Sequence, residues 1–131
     1  MVGYVVRRAQ VWIFQDVRRT LKGLDVTPAQ FSVMKIVGAN PGLAQARVAE
    51  ALFIERARLV QMLDRLEARG LIGRPRSARD RRSHALHLTE EGARLLAHLE
   101  QLLEVHERNL VARLGPKGKS ELLRLLAPFA R

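Results

Sequence analysis

The sequence predicts a mainly α-helical domain that carries one small β-hairpin. Apolar residues recur at spacings of three and four along most of the 131-residue chain, which is the period of an amphipathic helix. The period changes in one place, where Leu86 and Leu88 alternate with His87 as in a half-buried strand. A chain of this length is expected to form one domain with a sizeable core, because it is too short for two.

The charge and the residue types of the chain narrow its class. The formal net charge of +10 favours an anionic partner, either nucleic acid or an acidic membrane surface. The absence of cysteine excludes disulfides and thiolate zinc sites, and it fits a protein of the reducing cytoplasm. The sequence has no apolar run of about 18 residues and no signal-peptide pattern, so we expect a cytoplasmic protein without a membrane partner.

Two helices are predicted in the first third of the chain. The apolar pattern of residues 2–21 predicts one continuous helix. Trp12 and Phe14 lie on different sides of this helix, so one of them points away from the domain core or toward a second subunit. Thr27 and Gln30 flank a proline at a helix start, a pattern that predicts a capping box at the beginning of the second helix.

Two further helices, over residues 44–52 and 55–69, are joined by a short break at Phe53-Ile54. Gly70 is expected to end the second of them in a left-handed conformation. Two short helices with such a junction form a helix-turn-helix, whose second helix enters the major groove of DNA. The exposed face of that helix carries four side chains that can read base edges, namely Arg56, Arg58, Gln61 and Arg65.

The hairpin tip that follows is strongly basic. It carries four arginines and one opposing carboxylate, namely Arg76, Arg79, Arg81, Arg82 and Asp80. Guanidinium groups on a protruding loop suit phosphate oxygens or a narrow minor groove. From residue 54 to residue 83, nine basic residues stand against four acidic ones. A solvated basic face is the alternative, but a helix-turn-helix running directly into this tip favours nucleic-acid binding.

The last third of the chain predicts two more helices. Thr89 caps the first, and its apolar stripe continues to Leu114, which corresponds to a length of about 38 Å. The second covers residues 116–130. Together with the N-terminal helix, these segments carry more apolar surface than one small domain can bury. We therefore expect a homodimer in which helices from both chain ends intertwine, and a monomer with a compact six-helix core is the alternative.

Five segments of the chain, taken together, resemble the MarR family of bacterial transcription regulators. No single motif carries the resemblance, but the series in this order covers nearly the whole chain. The segments are Thr27–Phe31, Val48–Leu52, Leu66–Arg74, Asp80–Ser83 and Leu88–Gly92. The resemblance implies an intertwined homodimer with a winged helix-turn-helix fold. It also implies that the recognition helix enters the major groove and that the hairpin, as the wing, enters the flanking minor groove.

The resemblance assigns roles in the wing and points to two departures from the family pattern. It implies that Arg82 contacts the minor groove and that Asp80 orients it, which leaves the other tip arginines as backbone contacts or solvated charge.

The family often has glycine in the turn of the helix-turn-helix, where this chain has Phe53. Because phenylalanine disfavours a left-handed backbone, we expect a slightly different turn. The family also often begins the recognition helix with serine or threonine, where Glu55 can cap only weakly or accept from cytosine.

The resemblance further implies a small-molecule effector, an aromatic acid or a phenol, that releases the DNA. The expected walls of its site are Arg8, Trp12, Gln15, Asp16, Arg19, Phe31, Met34, Leu95, His98 and Leu99. Residues 3–10 resemble the branch of the family that senses hydroxycinnamoyl-coenzyme A thioesters. Plain core packing is the alternative for Trp12 and Met34, and it is the commoner fate of such residues.

Neither catalysis nor metal binding finds support in the sequence. No histidines have metal-ligand spacing, and no serine has a partnered histidine pattern, so we expect no enzyme, no cofactor and no metal site. Three functions remain: a repressor released from a palindromic operator by an effector, an architectural DNA-binding protein without an effector, and a winged helix used for protein contacts. The expected organisation is one domain, with a DNA-binding lobe at residues 27–88 and dimerisation segments at residues 1–24 and 89–131.

Overall fold

The structure is a computed structural model that describes residues 1–74 and 85–130. The predictions for Arg76, Arg79, Asp80, Arg81 and Arg82 fall on the wing tip, which lies outside these residues. In chain order the elements are α1 (Val2–Thr20), α2 (Pro28–Ala39), α3 (Gln45–Leu52), α4 (Arg56–Ala68), β1 (Ile72–Gly73), β2 (His87–Leu88), α5 (Glu90–Leu114), α6 (Gly118–Leu126) and a closing 3-10 turn (Ala127–Phe129). The predicted elements are therefore all present, with α6 starting two residues later than expected.

The chain forms two compact units. The central unit comprises Asp25–Leu99, and the terminal unit comprises Met1–Leu24 and Glu100–Arg131. Helix α5 belongs to both, because it begins in the central unit and continues in the terminal unit. The boundary between the two units, after Leu99, falls inside α5.

The central unit begins with the predicted capping box at α2. The Thr27 hydroxyl accepts a hydrogen bond from the Gln30 N–H, and the Gln30 side-chain oxygen accepts one from the Thr27 N–H, both at 3.1 Å. These bonds satisfy two backbone donors that a helix start otherwise leaves unpaired. Met34 and Val37 are fully buried on the inner face of α2, whereas Phe31 is only half-buried.

The turn between α3 and α4 differs from the sequence-based expectation. Phe53 was expected to avoid the left-handed conformation, but it adopts it, with φ 53° and ψ 43°. Two hydrogen bonds hold it there, from the Phe53 N–H to the Glu50 carbonyl (3.3 Å) and from the Ile54 N–H to the Ala49 carbonyl (3.0 Å). They form a Schellman motif, which satisfies carbonyls at the end of α3 and so stabilises a conformation that phenylalanine alone disfavours.

The two ends of α4 follow different rules. Glu55 occupies the N-cap position, but its side chain makes no capping hydrogen bond, so the expected weak cap is absent. A glutamate side chain is longer than the serine, threonine or aspartate side chains that reach back to the first turn. At the other end Gly70 is left-handed as predicted (φ 71°), and the N–H groups of Gly70 and Leu71 close a second Schellman motif.

The base of the hairpin is tied to its surroundings by backbone hydrogen bonds. Strands β1 and β2 are antiparallel, with Ile72 opposite Leu88 and Gly73 opposite His87. The Leu86 N–H donates to the Leu43 carbonyl (3.0 Å), and the Gly42 N–H donates to the Leu86 carbonyl (2.8 Å). The loop after α2 therefore acts as a third partner that fixes where the wing leaves the central unit.

The start of α5 packs tightly on the hairpin. The Thr89 hydroxyl caps the helix by accepting a hydrogen bond from the Gly92 N–H at 3.0 Å, as predicted. Gly92 lies so close to the backbone just before β1 that a Cβ atom there would clash with the Leu71 carbonyl oxygen. Only glycine fits there, so the Gly92 that follows Thr89-Glu90-Glu91 in the sequence serves this close approach.

Candidate DNA-binding surface and effector cavity

Helix α4 separates a buried apolar face from an exposed basic face. Leu59, Met62, Leu63 and Leu66 form the buried face, and each is at most 7 % exposed. The four side chains predicted to read DNA all lie on the exposed face, namely Arg56, Arg58, Gln61 and Arg65. The apolar face fixes the helix on the lobe, so the donor side chains project from a rigid support.

Two other arginines of the basic segment have structural contacts. The Arg74 guanidinium lies 3.0 Å from the Asp64 carboxylate and 3.1 Å from the Glu67 carboxylate, and its side chain is only 14 % exposed. Arg69 donates a 2.6 Å hydrogen bond to the Asp25 carbonyl. Arg74 thus joins the base of the wing to α4, and Arg69 joins the end of α4 to the loop before α2. Neither set of contacts was foreseen from the sequence, because each joins two different elements and does not follow from the spacing within one helix.

The terminal unit forms a cavity of about 520 Å³ that is open to solvent on one side. Its walls come from α1, α5 and α6, namely Val5, Arg8, Ala9, Trp12, Ile13, Leu110, Arg113, Leu114 and Leu122. The lining is apolar apart from the two arginines. The Arg113 guanidinium lies over the Trp12 ring, 4.5 Å from its centroid, and Arg8 donates a 3.2 Å hydrogen bond to the Tyr4 hydroxyl. A cavity of this kind suits a ligand with an aromatic end and an anionic group.

A buried polar network lies next to this cavity in the same unit. The Asp16 carboxylate accepts a hydrogen bond from His106 Nδ1 at 2.7 Å and another from the Asn109 amide at 3.3 Å. Asp16 and His106 are 6 % and 5 % exposed. The hydrogen bond from His106 holds the pKa of Asp16 below its ordinary value, against the opposing effect of burial, and Asn109 adds to the lowering. The His106 ring stacks on Trp12, with 6.5 Å between their centroids, so the network supports a wall of the cavity.

The residues predicted for the effector site have different environments. Arg8 and Trp12 line the cavity together. Gln15 and Arg19, on the same helix, are exposed to solvent, and Asp16 is buried against His106 instead of facing a ligand site. In the central unit, Phe31 is half-buried, Met34 is fully buried and His98 is exposed. Arg113, which carries a charge at the cavity, was not among the residues predicted from the sequence.

The fold and its exposed basic helix define a winged helix-turn-helix DNA-binding protein. A model of the MarR family matches residues 24–83. The chain is 34 % identical over 131 residues to the putative transcriptional regulatory protein for the hcr operon of Thauera aromatica. The alignment covers 99 % of this chain and 79 % of that protein. The chain belongs to the MarR family and is a DNA-binding transcriptional regulator, as the sequence analysis predicted.

Two solved structures extend the comparison. The transcriptional repressor CouR bound to a 23-mer DNA duplex has a TM-score of 0.94 and 44 % sequence identity, covering 100 % of this chain and 93 % of that one. CouR bound to p-coumaroyl-CoA has a TM-score of 0.90 and 41 % identity, covering 100 % of this chain and 92 % of that one. These likenesses confirm the predicted fold class, and the predicted homodimer is consistent with them.

Two further observations concern the described part of the chain alone. Within residues 1–74 and 85–130, no helix is both long and apolar enough to cross a membrane. Within the same residues, no group of three or more histidine, aspartate or glutamate side chains could hold a metal ion.

Proposed function

We propose that this protein is a repressor that binds a palindromic operator as a homodimer and is released by an aryl-coenzyme A thioester of the hydroxycinnamoyl type. The observation that carries the proposal is the apolar cavity with Trp12 on its wall and the guanidinium groups of Arg8 and Arg113 beside it. The likeness to CouR bound to p-coumaroyl-CoA supports the choice of ligand class. An aromatic acid or a phenol is the second candidate, because it would use the same apolar walls.

DNA binding and dimerisation are proposed to belong to different parts of the chain. The lobe around residues 27–88 binds DNA, with Arg56, Arg58, Gln61 and Arg65 in the major groove. The wing tip then supplies Arg82, oriented by Asp80, to the minor groove, and Arg76, Arg79 and Arg81 to the backbone. The segments 1–24 and 89–131 form the dimer, because α1 and α6 expose many large apolar side chains. This division assigns the regulator a binding role without catalysis, and we place it in the cytoplasm.

The effector site is proposed to centre on Trp12 and the two cavity arginines. The aryl ring would pack against Trp12 and the aliphatic residues of α1 and α5, and Arg8 or Arg113 would hold an anionic group of the coenzyme A portion. Gln15, Arg19, Phe31, Met34 and His98 remain proposed contacts from the sequence pattern, and the exposure of Gln15, Arg19 and His98 leaves them accessible. The burial of Met34 makes it the weakest member of this set.

The effector proposal can be tested directly because Trp12 is the only tryptophan in the chain. Titration with p-coumaroyl-CoA should quench its fluorescence with saturation, whereas coenzyme A alone should bind far more weakly. Arg113→Ala should weaken binding about tenfold, the value of one charge-assisted hydrogen bond. Arg108→Ala is the matched control, since Arg108 is exposed on the same helix and does not line the cavity. Equal effects of both variants would contradict the proposed site.

Release of DNA is tested by fluorescence anisotropy on a labelled palindrome selected by the wild-type protein from random duplexes. Binding should fall steeply with salt, with a logarithmic slope of about −0.9 per neutralised phosphate, because counterions are released on binding. Adding p-coumaroyl-CoA should lower the affinity. Salt-dependent DNA binding that no aryl-CoA thioester, aromatic acid or phenol changes would favour an architectural protein. Absence of duplex binding even at low salt would favour a module for protein contacts.

A further inference from the structure

The left-handed Phe53 in the helix-turn-helix is not explained by the fold. The same hydrogen-bond motif ends both α3 and α4, and at α4 the left-handed position holds Gly70. Glycine meets no steric penalty there, whereas a residue with a Cβ atom does. A phenylalanine at this position therefore lowers the stability of the turn relative to glycine.

Burial does not offset that penalty. The Phe53 side chain is 84 % exposed, the largest exposure of any large apolar residue in the central unit. The ring thus gains little from leaving water when the chain folds, since the hydrophobic contribution scales with the area removed from solvent. Neither the conformation nor the packing of the lobe favours phenylalanine, so a contact made after folding is the remaining physical reason for it.

The position of Phe53 identifies the surface that such a contact would involve. It lies three residues before α4, next to the helix end that displays Arg56 and Arg58. In a helix-turn-helix, this N-terminal end of the second helix meets the base edges of the major groove. The one base feature there that an apolar ring can recognise is the methyl group of thymine.

We propose that Phe53 packs against a thymine methyl group in each operator half-site and contributes to sequence preference. The assignment rests on the DNA-binding function of α4 and adds an apolar contact to its arginine and glutamine contacts. The left-handed backbone would aim the ring outward, and the Schellman hydrogen bonds would hold it there before DNA arrives. The loss of rotational freedom on binding is then confined to the side chain.

If Phe53 has this role, replacing it should raise the stability of the protein and lower its affinity for DNA, and the test measures both. Phe53→Gly should raise the midpoint of urea unfolding, because it removes the steric penalty, and it should weaken binding to the selected palindrome about fivefold. A purely structural residue would lose stability and affinity together. Phe53→Asn, which also tolerates the left-handed region, is the second variant and should behave in the same way. Unchanged affinity of both variants would overturn the proposal.

Substituted DNA identifies the partner group. Replacing thymine by uracil at the same position of both half-sites, one such pair at a time, removes both methyl groups that the homodimer would contact and leaves base pairing unchanged. At one position per half-site, the wild-type protein should lose about the same fivefold, and Phe53→Gly should then lose nothing further. If Phe53→Gly weakens binding but no uracil substitution affects the wild type, the ring contacts another part of the DNA and the thymine assignment is wrong. Wild-type binding is measured first, so a failure of the DNA-binding function itself is recognised separately.

Discussion

The central and terminal units place polar and apolar side chains in opposite ways. The central unit buries aliphatic side chains from α2, α3 and α4 and exposes the arginines of α4. The terminal unit buries a carboxylate and an imidazole, Asp16 and His106, and exposes many of its large apolar side chains. These exposed residues are Val2, Tyr4, Val5, Val6, Val11, Phe14, Val105, Leu114, Leu123, Leu125, Leu126 and Phe129.

The difference indicates what each unit needs in order to be stable. The central unit has the layout of a self-sufficient lobe, because its described large apolar residues, apart from Phe53 and Val60, are largely removed from water. The terminal unit leaves many large apolar side chains of α1 and α6 in solvent, which is more than a stable single chain normally exposes. A second copy of the chain would cover them, and this agrees with the homodimer expected for the family. The comparison leads to four predictions, ordered by the size of the expected effect.

The largest effect is expected in the tight packing of the central unit. Gly92→Ala places a Cβ atom where it clashes with the Leu71 carbonyl oxygen, and backbone cannot move aside as a flexible side chain can. We expect a loss of about 3 kcal/mol or more in the free energy of unfolding, measured by urea titration at fixed protein concentration. Gly3→Ala is the matched control in α1, where a Cβ meets nothing within 4 Å. Similar losses in both variants would contradict the contrast between the units.

The second prediction tests the exposed apolar face of the terminal unit. Leu125→Glu introduces a charge on α6 at a side chain that is 54 % exposed in the single chain. If the partner subunit covers this position, dimer association should weaken by about 2–4 kcal/mol, because the charge loses its water. Sedimentation equilibrium measures the change. Val60→Glu, at a 40 % exposed position of α4, should leave the dimer intact. A Leu125→Glu chain that dimerises like the wild type would place the interface elsewhere.

The parts of the fold that the sequence predicted are those set by local rules. Helix periods, the Thr27 and Thr89 caps and the left-handed Gly70 depend on residues within one or two turns of each other, so they can be read from a short window. Phe53 shows where a local rule fails. Its side-chain preference predicted another conformation, but two backbone hydrogen bonds of the helix end decide the outcome.

The parts of the site that the sequence missed are long-range pairs. Asp16 and His106 lie 90 positions apart, and no short window connects them. A signal did exist, since each is a polar residue at an apolar-stripe position of its helix, and two such positions can satisfy each other when their helices pack. The pairing of Arg74 with Asp64 and Glu67 likewise depends on how the wing meets α4. The count of basic and acidic residues from 54 to 83 included Arg74 in the basic surface. Such a count does not distinguish an arginine that is paired with carboxylates from one that is free to contact DNA.

The third prediction concerns the buried network. His106→Ala removes the shortest hydrogen bond to Asp16 and leaves a carboxylate covered by protein with only Asn109 and the more distant Arg19 near it. We expect a loss of about 1–3 kcal/mol in the free energy of unfolding. The variant should also weaken quenching of Trp12 by the effector, since His106 stacks on that ring. Arg108→Ala, on the exposed face of the same helix and away from the cavity, should change neither quantity, and an equal loss there would contradict the role of the network.

The smallest effect is expected from acid, and it isolates the charge of Asp16. Because the hydrogen bond from His106 lowers the pKa of Asp16 in the folded protein, the unfolded chain binds the proton more readily. The resulting stabilisation is complete above the ordinary pKa of 3.8 and is lost as the pH falls through the lowered value. Urea unfolding between about pH 6 and pH 3 should therefore show a steeper acid loss for the wild type than for Asp16→Asn, which carries no titrating group there. Arg19→Ala should keep the wild-type slope, since its guanidinium lies 3.9 Å away and is 69 % exposed. Parallel pH profiles for the wild type and Asp16→Asn would mean that the carboxylate is not selectively stabilised in its charged form.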